Sequence, residues 1–332
     1  MNKMIIAVDA EGGDFAPREL VKGAIEAASE YDIELILIGQ KAVLDMLVRR
    51  QAKKKKISVL EASQSIACSE PPVQAVRKKP DSAIVIGTKL VKEGKASAFV
   101  SAGSTGAVLA AAFLYLERIK GVQRPALCGL IQINPDNPVL IIDVGANVDC
   151  RPDHLVQFGQ LGSIFAREFL KVDLPRVGLL NNGEEEIKGN ALIRESFQHL
   201  KKSNLNFIGN IEGQDILQKK ADVIVTDGFT GNVVLKALEG FGDAFLKVLG
   251  IGESLKVDRQ LQGSALVHYV QLASMVERTD YKKYGGALLL GVNGNIIVAH
   301  GRSQARAIKN AMHLAYRAVE TNVVDAILRN NM

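Results

Sequence analysis

Residues 98–116 read AFVSAGSTGAVLAAAFLYL. Four residues of strand character, Ala98–Ser101, run into a turn of small residues, and an apolar, Ala-rich stretch follows at once. That is a strand, a Gly-rich turn and a helix in immediate succession. The same rhythm recurs along the chain. Strands are predicted at Met4–Val8, Ile33–Ile38, Ile57–Leu60, Ala98–Ser101, Leu127–Ile133, Val139–Val144, Arg176–Leu180, Asn206–Ile208, Asp222–Thr226, Ala287–Leu290 and Ile296–Ala299. Helices are predicted over about 17–30, 41–52, 81–93, 105–119, 153–171, 189–202, 213–220, 231–249, 255–278 and 304–329, the last on the spacing of Ile308, Met312, Ala315, Val319, Val323 and Ala326. Alternation of this kind predicts an α/β fold, a mostly parallel sheet sandwiched by helices, with ligands beyond the carboxyl ends of strands. No repeat or linker divides the chain, so residues 1–332 are expected to form a single α/β domain.

One region departs from that rhythm. Val234, Leu238, Phe241, Phe245 and Val248 repeat at helical spacing, Gly250-Ile251-Gly252 breaks the pattern, and Leu261, Ala265, Leu272 and Met275 resume it. Residues 233–280 are therefore expected to form a protruding two-helix hairpin within the domain. Its tip carries Leu249, Ile251, Leu255 and Val257. Packing on the domain, a dimer contact or a tip that dips into a bilayer surface all fit such an apolar turn.

Composition narrows the function classes. The chain has 332 residues, 47% hydrophobic and 23% charged, which suits a globular protein rather than a disordered one. Aromatics make up 5% and Trp is absent, which argues against a base-stacking nucleic-acid platform. The charge sum is 41 − 36 = +5, a balance that favours anionic partners. Arg77-Lys78-Lys79 and Arg49 through Lys56 are the basic groups, each also readable as a solvated face. Cys68, Cys128 and Cys150 show neither CxxC spacing nor a nucleophile motif, which suits a reducing cytoplasm. No apolar stretch approaches the roughly 20 residues of a membrane span. No signal-peptide pattern opens the chain.

The polar turns after strands are where chemistry could sit. Asp9, Gly12, Gly13 and Asp14 form the first, and it is not a GxGxxG fingerprint. Ser101, Gly103, Ser104, Thr105 and Gly106 form the second. Small residues and hydroxyls at a helix N-terminus suit a phosphate, and suit an ordinary N-capped turn equally. Asp143 and Asn147 belong to the third, DVGANVD. In the fourth, Asp227 precedes Thr230 and Asn232, and can bind a polar ligand or cap a helix. A fifth turn, 181–190, sets Asn182 and Lys188 among carboxylates, where Lys188 can neutralise an anion or pair with Glu184 four residues earlier. Walker A, G-x-S-x-G and HExxH patterns are missing, and the five His form no metal-ligand pattern, so neither a covalent intermediate nor a metal is expected.

Taken together, these motifs resemble the PlsX family of acyl-acyl carrier protein:phosphate acyltransferases. The resemblance is carried by VDAEGGD (8–14), EPPVQAVRKK (70–79), SAGSTGA (101–107), RIKGVQRPAL (118–127), DVGANVD (143–149), RPDHLVQF (151–158), PRVGLLNNGEEEIKGN (175–190), NFIGNIEG (206–213), TDGFTGNVVLKALEG (226–240), YGGALLLGVNG (284–294) and IIVAHG (296–301). Two positions depart from the family pattern. Glu11 stands where Met is usual, and Ser104 where Asn is usual.

The resemblance implies a fold like isopropylmalate dehydrogenase and phosphate acetyltransferase. It implies reversible transfer of a long-chain acyl group from acyl carrier protein to inorganic phosphate, giving acyl phosphate for phospholipid synthesis. It further implies a cytoplasmic homodimer held peripherally at the membrane, near the downstream glycerol-3-phosphate acyltransferase, with no cofactor and no nucleic-acid partner. For that reaction, Ser101, Gly103, Ser104, Thr105 and Gly106 are the expected phosphate ligands. Asn182 or Lys188 would polarise the carbonyl, and Asp227 or His300 would handle the proton at sulfur.

Overall fold

The computed structural model describes residues 4–49, 56–131, 138–248 and 285–330. Among the described residues, eleven strands form one sheet in the order β3-β2-β1-β4-β11-β10-β5-β6-β9-β7-β8. These are β1 Met4–Asp9, β2 Ile33–Gly39, β3 Ile57–Glu61, β4 Ala98–Ser101, β5 Ala126–Ile131, β6 Val139–Ile142, β7 Val177–Leu180, β8 Phe207–Ile211, β9 Val223–Val225, β10 Gly286–Leu290 and β11 Asn295–Ala299. All eleven predicted strands are present, each within a few residues of its expected bounds.

The helices are α1 Arg18–Glu30, α2 Lys41–Val48, α3 Pro72–Lys78, α4 Ala83–Lys92, α5 Thr105–Tyr115, α6 Pro152–Leu170, α7 Ala191–Lys202, α8 Gly213–Gln218, α9 Gly228–Val248, α10 Ala305–Glu320 and α11 Val323–Arg329. Four differ from expectation, among them α5, which was expected over 105–119 and ends at Tyr115. The short α3 was not foreseen, although Pro72 sits at its start, where a missing N–H costs nothing. The helix expected over 304–329 is two, because Asn322 takes a left-handed φ of 50° between α10 and α11. The helix expected over 41–52 ends at Val48. Of the predicted hairpin only α9 is described. The tip residues Leu249, Ile251, Leu255 and Val257, and the helix expected over 255–278, lie outside the described residues.

The sheet has two parallel blocks. One is β3-β2-β1-β4-β11 and the other β6-β9-β7-β8. Between them β10 and β5 are antiparallel to each other and to their outer neighbours. Three successive reversals make the two blocks run in opposite directions, so their carboxyl ends lie at opposite edges of the sheet. Side chains alternate across it. On one face Val8, Leu35, Cys128 and Ile142 pack with α1, α6 and α10. On the other Ala7, Phe99, Leu127 and Ile141 pack with α4, α5 and α9. α5 follows a strand of one block and α9 a strand of the other. Both lie on this second face and flank its central strands.

Candidate functional site

Three loops meet at the carboxyl edge of the first block, and Asp9 organises them. It is fully buried at the end of β1. Its Oδ1 accepts N–H groups of Glu11 and Gly12 at 3.0 Å, and its Oδ2 accepts the Ser101 hydroxyl at 2.7 Å. Ser101 Oγ in turn accepts the Gly103 N–H at 3.0 Å. Burial pushes the Asp9 carboxyl up, and these bonds oppose the shift. The approach is close: a Cβ at Gly12 would stand 2.5 Å from Asp9 Oδ2 and from the Gly103 nitrogen. Asp14 joins the third loop, its N–H donating to Gly301 O at 2.8 Å. Asp9, Gly12, Gly13 and Ser101 thus form the scaffold of the turn, which Asp14 joins through its backbone N–H while its side chain is exposed.

The open face is the start of α5. Ser104 is the N-cap, its hydroxyl accepting the Ala107 N–H at 3.4 Å. Thr105, at the first helical position, is exposed. Gly106 packs inward, where a Cβ would meet Pro72 of α3 at 2.6 Å. Gly103, Ser104 and Thr105 line a cavity of about 400 Å3 that opens between α5 and α9.

The opposite wall comes from α9. Asn232, Leu235, Lys236 and Glu239 line it at successive helical turns. Lys236 Nζ lies 3.3 Å from Nε2 of His300, which follows β11. The other ring nitrogen, Nδ1, accepts the Arg302 N–H at 3.1 Å, so a neutral ring carries its proton on Nε2. Glu239, 9% exposed, stands 3.8 Å behind that Nε2. An ammonium and an imidazole N–H therefore converge opposite the N-terminus of α5. Two adjacent donors can both give a hydrogen bond to one anion. The floor below is apolar: Leu127, Gly129 and Leu130 of β5, Val144, Ala287 of β10, and Val298 of β11. A donor-lined mouth over an apolar floor suits a molecule with an anionic head and a hydrocarbon body.

Lys236 was not among the sequence-derived candidates. Its signal is faint: Asn232, Lys236 and Glu239 fall at i, i+4 and i+7, a polar line along an otherwise apolar helix. Cys68 also reaches the cavity wall.

Other candidates fall elsewhere. Asp143 is fully buried and its oxygens accept five hydrogen bonds. These come from the N–H groups of Leu127 (3.0 Å), Gly145 (3.1 Å), Ala146 (3.0 Å) and Asn147 (2.7 Å), and from Asn147 Nδ2 (2.8 Å). This turn is structural. Asp227 caps α9, accepting the Thr230 N–H at 2.8 Å and its hydroxyl at 2.7 Å. Asn232 reaches the cavity wall while its Nδ2 donates to Val144 O at 3.0 Å, tying α9 to the Asp143 turn.

Asn182 and Lys188 are exposed on the turn after β7, outside the residues that line the cavity. Glu184 pairs with Lys220 rather than with Lys188. Glu184, Glu212 and Asp215 approach within 4.8 Å of one another, but the Lys220 ammonium already pairs with Glu184 and with Asp215 at 3.3 Å. Burial, reinforced by Asp143 and Asp227, pushes the Cys150 thiol up to about 12, which leaves it inert as a nucleophile near neutral pH. Cys128 is also pushed up by burial.

Both departures from the family pattern have local explanations. Glu11 Oε1 accepts the Gln40 N–H at 2.9 Å and Glu61 Oε2 accepts the Lys41 N–H at 2.9 Å, so two carboxylates close the N-terminus of α2. Glu11 is not among the residues lining the cavity. Ser104 serves as an N-cap, a task that Asn performs equally well.

Comparison with known proteins bears on the fold and the family. Among solved structures, a phosphotransacetylase from Streptococcus pyogenes shares the fold with a TM-score of 0.60 at 17% identity, over 98% of this chain and 94% of that one. A branched-chain phosphotransacylase from Enterococcus faecalis does so with a TM-score of 0.60 at 14% identity, over 95% and 99%. Among curated proteins, the phosphate acyltransferase of Dehalococcoides mccartyi is 58% identical over 96% of this chain and 92% of its own length. That of Heliobacterium modesticaldum is 48% identical over 98% and 96%. A family model described as fatty acid synthesis protein matches residues 4–326. Near-complete coverage at these identities leaves one conclusion: the chain belongs to the PlsX family and is a phosphate acyltransferase of fatty acid and phospholipid synthesis.

Proposed function

We propose that the enzyme moves a long-chain fatty acyl group from the thioester of acyl carrier protein to inorganic phosphate, and that it does so in the cavity between α5 and α9. The observation that carries this reading is the pairing of a donor-lined mouth with an apolar floor. Phosphate sits at the mouth, held by the first N–H groups of α5, the hydroxyls of Ser104 and Thr105, and the Lys236 ammonium. The acyl chain lies along the floor.

A phosphate oxygen then attacks the thioester carbon, the C–S bond breaks, and the carrier thiol leaves. With hydrogen phosphate as nucleophile the balance is one proton, lost by phosphate and gained by sulfur. In this reading the neutral His300 ring gives an Nε2–H hydrogen bond to the departing sulfur, and the proton that phosphate loses passes to that sulfur as the C–S bond breaks. A thioester is already activated, so holding the two reactants in contact supplies much of the rate. Lys236 and His300 also face the position where negative charge builds.

This scheme gives Asp227 and Asp143 positioning roles. Asn182 and Lys188 stay outside it unless their turn reaches a site beyond the cavity described. Wild-type kcat/KM in a Lys188→Ala enzyme would remove that residue from the scheme, and the same result for Thr105→Ala would remove Thr105. The direct test mixes the protein with palmitoyl-acyl carrier protein, with and without phosphate, and follows free carrier thiol. Phosphate-dependent release with a hydroxylamine-trappable product supports the reading. Release without phosphate indicates a thioesterase.

The remaining parts of the proposal concern assembly. The enzyme works as a cytoplasmic homodimer at the membrane surface, passing acyl phosphate to the glycerol-3-phosphate acyltransferase, and needs no cofactor. Among the described residues no helix is long and apolar enough to cross a membrane. Contact through the hairpin tip predicts that Leu255→Glu or Ile251→Glu abolishes binding to anionic vesicles. Unchanged binding in both would sink it. Docking of the acidic carrier on basic groups predicts that salt raises its KM more than it lowers kcat.

A further inference from the structure

Two helices begin at neighbouring points of the sheet. β4 and β11 are adjacent parallel strands, with Val100 beside Ile297 and Ser101 beside Val298. β4 leads into α5 on one face of the sheet, where Ala107 and Val108 pack. β11 leads into α10 on the other, where Ile308 and Met312 pack. Connections that leave adjacent parallel strands for opposite faces open a crevice beyond the carboxyl ends, and ligands of open α/β sheets bind there. The α5 side of this crevice is the proposed phosphate site. The α10 side carries donors that the scheme leaves unused.

Ser303 supplies the first. It is 5% exposed and lines the cavity together with Ala307. Its backbone N–H donates to His300 O at 2.9 Å, which folds the turn between β11 and α10. Among the described residues its hydroxyl makes no hydrogen bond. Nor does it cap the helix that follows: the N-cap is Gln304, and no side-chain cap bond forms there. A buried hydroxyl without a partner is costly, and one on the wall of a cavity is satisfied by what enters it.

The start of α10 supplies two more. Glu19 Oε2 accepts the Ala305 N–H at 2.9 Å, and the Ile308 N–H returns to Gln304 O at 3.0 Å. Between them, the N–H groups of Arg306 and Ala307 have no partner among the described residues, as the first turn of a helix leaves them. The Glu19 carboxylate makes this helix start a poor place for a free phosphate dianion. It suits an oxygen that is neutral in the bound substrate and gains charge only as the reaction proceeds. The carbonyl oxygen of a thioester is of that kind.

We infer that the Ser303 hydroxyl, with the free N–H groups at the start of α10, binds the carbonyl oxygen of the acyl thioester and stabilises the negative charge it takes on in the transition state. The inference rests on the proposed acyl transfer to phosphate. In that step a phosphate oxygen bonds to the carbonyl carbon, and the C=O π pair moves onto the carbonyl oxygen. The pair returns as the C–S bond breaks, and sulfur leaves with the proton that phosphate loses. Phosphate at α5 and the carbonyl oxygen at α10 then occupy the two sides of the crevice, with the reacting carbon between them. Ser303 is thereby a catalytic residue, acting beside Lys236 and His300.

The experiment compares wild type, Ser303→Ala and Ser303→Thr, each checked for folding by thermal melting. The substrates are palmitoyl-acyl carrier protein and its dithioester analogue, in which sulfur replaces the carbonyl oxygen and accepts hydrogen bonds poorly. In Ser303→Ala, kcat is expected to fall about 30-fold or more while the KM for phosphate stays within about threefold, because the lost donor acts on charge that develops only in the transition state. Ser303→Thr keeps the hydroxyl and should recover most of the rate. The wild-type preference for the oxygen substrate should shrink about tenfold or more in Ser303→Ala, a change that a merely structural role would not make. A folded Ser303→Ala enzyme with kcat and oxygen preference both within about threefold of wild type overturns the inference, and so does a loss confined to the KM for phosphate. If Ser303→Ala does not fold, Ser303→Cys, which keeps the shape with a weak donor, is read by the same limits. Absence of phosphate-dependent transfer in the wild type would overturn the proposed reaction and this inference with it. Transfer by the wild type with an unchanged Ser303→Ala enzyme would overturn the inference alone.

Discussion

Lys236 Nζ and His300 Nε2 stand side by side, 3.3 Å apart, at the cavity mouth, and both are donors once Nδ1 of His300 accepts the Arg302 N–H. One residue comes from a helix of the second block and the other from the end of a strand of the first. Their meeting makes the mouth an anion site. Lys236→Ala is expected to raise the KM for phosphate about tenfold or more, with partial recovery in Lys236→Arg, which keeps the charge. His300→Ala is expected to lower kcat more than it raises that KM. The double variant should lose less than the sum of the single losses, because both residues serve one bound anion. Additive losses would separate their roles.

Asp143 predicts a stability effect without direct chemistry. Five donors surround its carboxylate in a fully buried turn. Asp143→Asn replaces an acceptor with an amide N–H2 aimed at other N–H groups. A loss of about 3 kcal/mol is expected. It would be read as a lower midpoint in urea with an unchanged slope. A variant as stable as wild type would show that the turn rearranges freely.

The pair Arg176–Asp222 predicts a pH effect. Arg176 donates to Asp222 through its backbone N–H at 2.9 Å and its Nε at 3.0 Å. Burial pushes the Asp222 carboxyl up, but the Arg176 bonds and charge outweigh it and hold the carboxyl below its ordinary value of 3.8. A depressed carboxyl stabilises the fold above its unfolded pKa, and that contribution is lost as pH falls through the folded value. Arg176→Ala should therefore cost about 1 kcal/mol at pH 7, a modest figure because the guanidinium is partly exposed to screening solvent. The gap to wild type should close in acid. A gap constant with pH would place the effect in packing.

Cys68 offers a probe of the cavity. It is exposed and lies on the cavity wall, while Cys128 is buried. A maleimide is expected to label Cys68 first and to slow the enzyme, with protection by acyl phosphate or alkyl phosphate. The Cys68→Ser enzyme should resist the reagent. Labelling at an unchanged rate in the presence of saturating alkyl phosphate would place the ligand elsewhere.

Much of this protein was set by local sequence. Each strand is a short apolar run, and short runs bounded by Gly and polar residues carry their own signal. The turn 101–106 likewise combined small residues, hydroxyls and a following helix, so its place at the cavity was legible. Local signals fail where two segments share one residue type for different ends. Asp227 reads as a ligand or a cap, and the bonds from Thr230 make it a cap. Lys188 reads as an anion partner, yet its turn follows β7, a strand of the block whose carboxyl ends point away from the 101–106 loop. Lys236 carries no motif, yet it meets a histidine 64 residues away. What sequence alone determined were the elements, their alternation and the family. The tertiary structure decided which loops share a cavity. Three antiparallel pairings at the middle of the sheet reverse one block against the other and leave the central strands open between α5 and α9. Strand pairing joins residues far apart in sequence, and no local pattern of side chains records it.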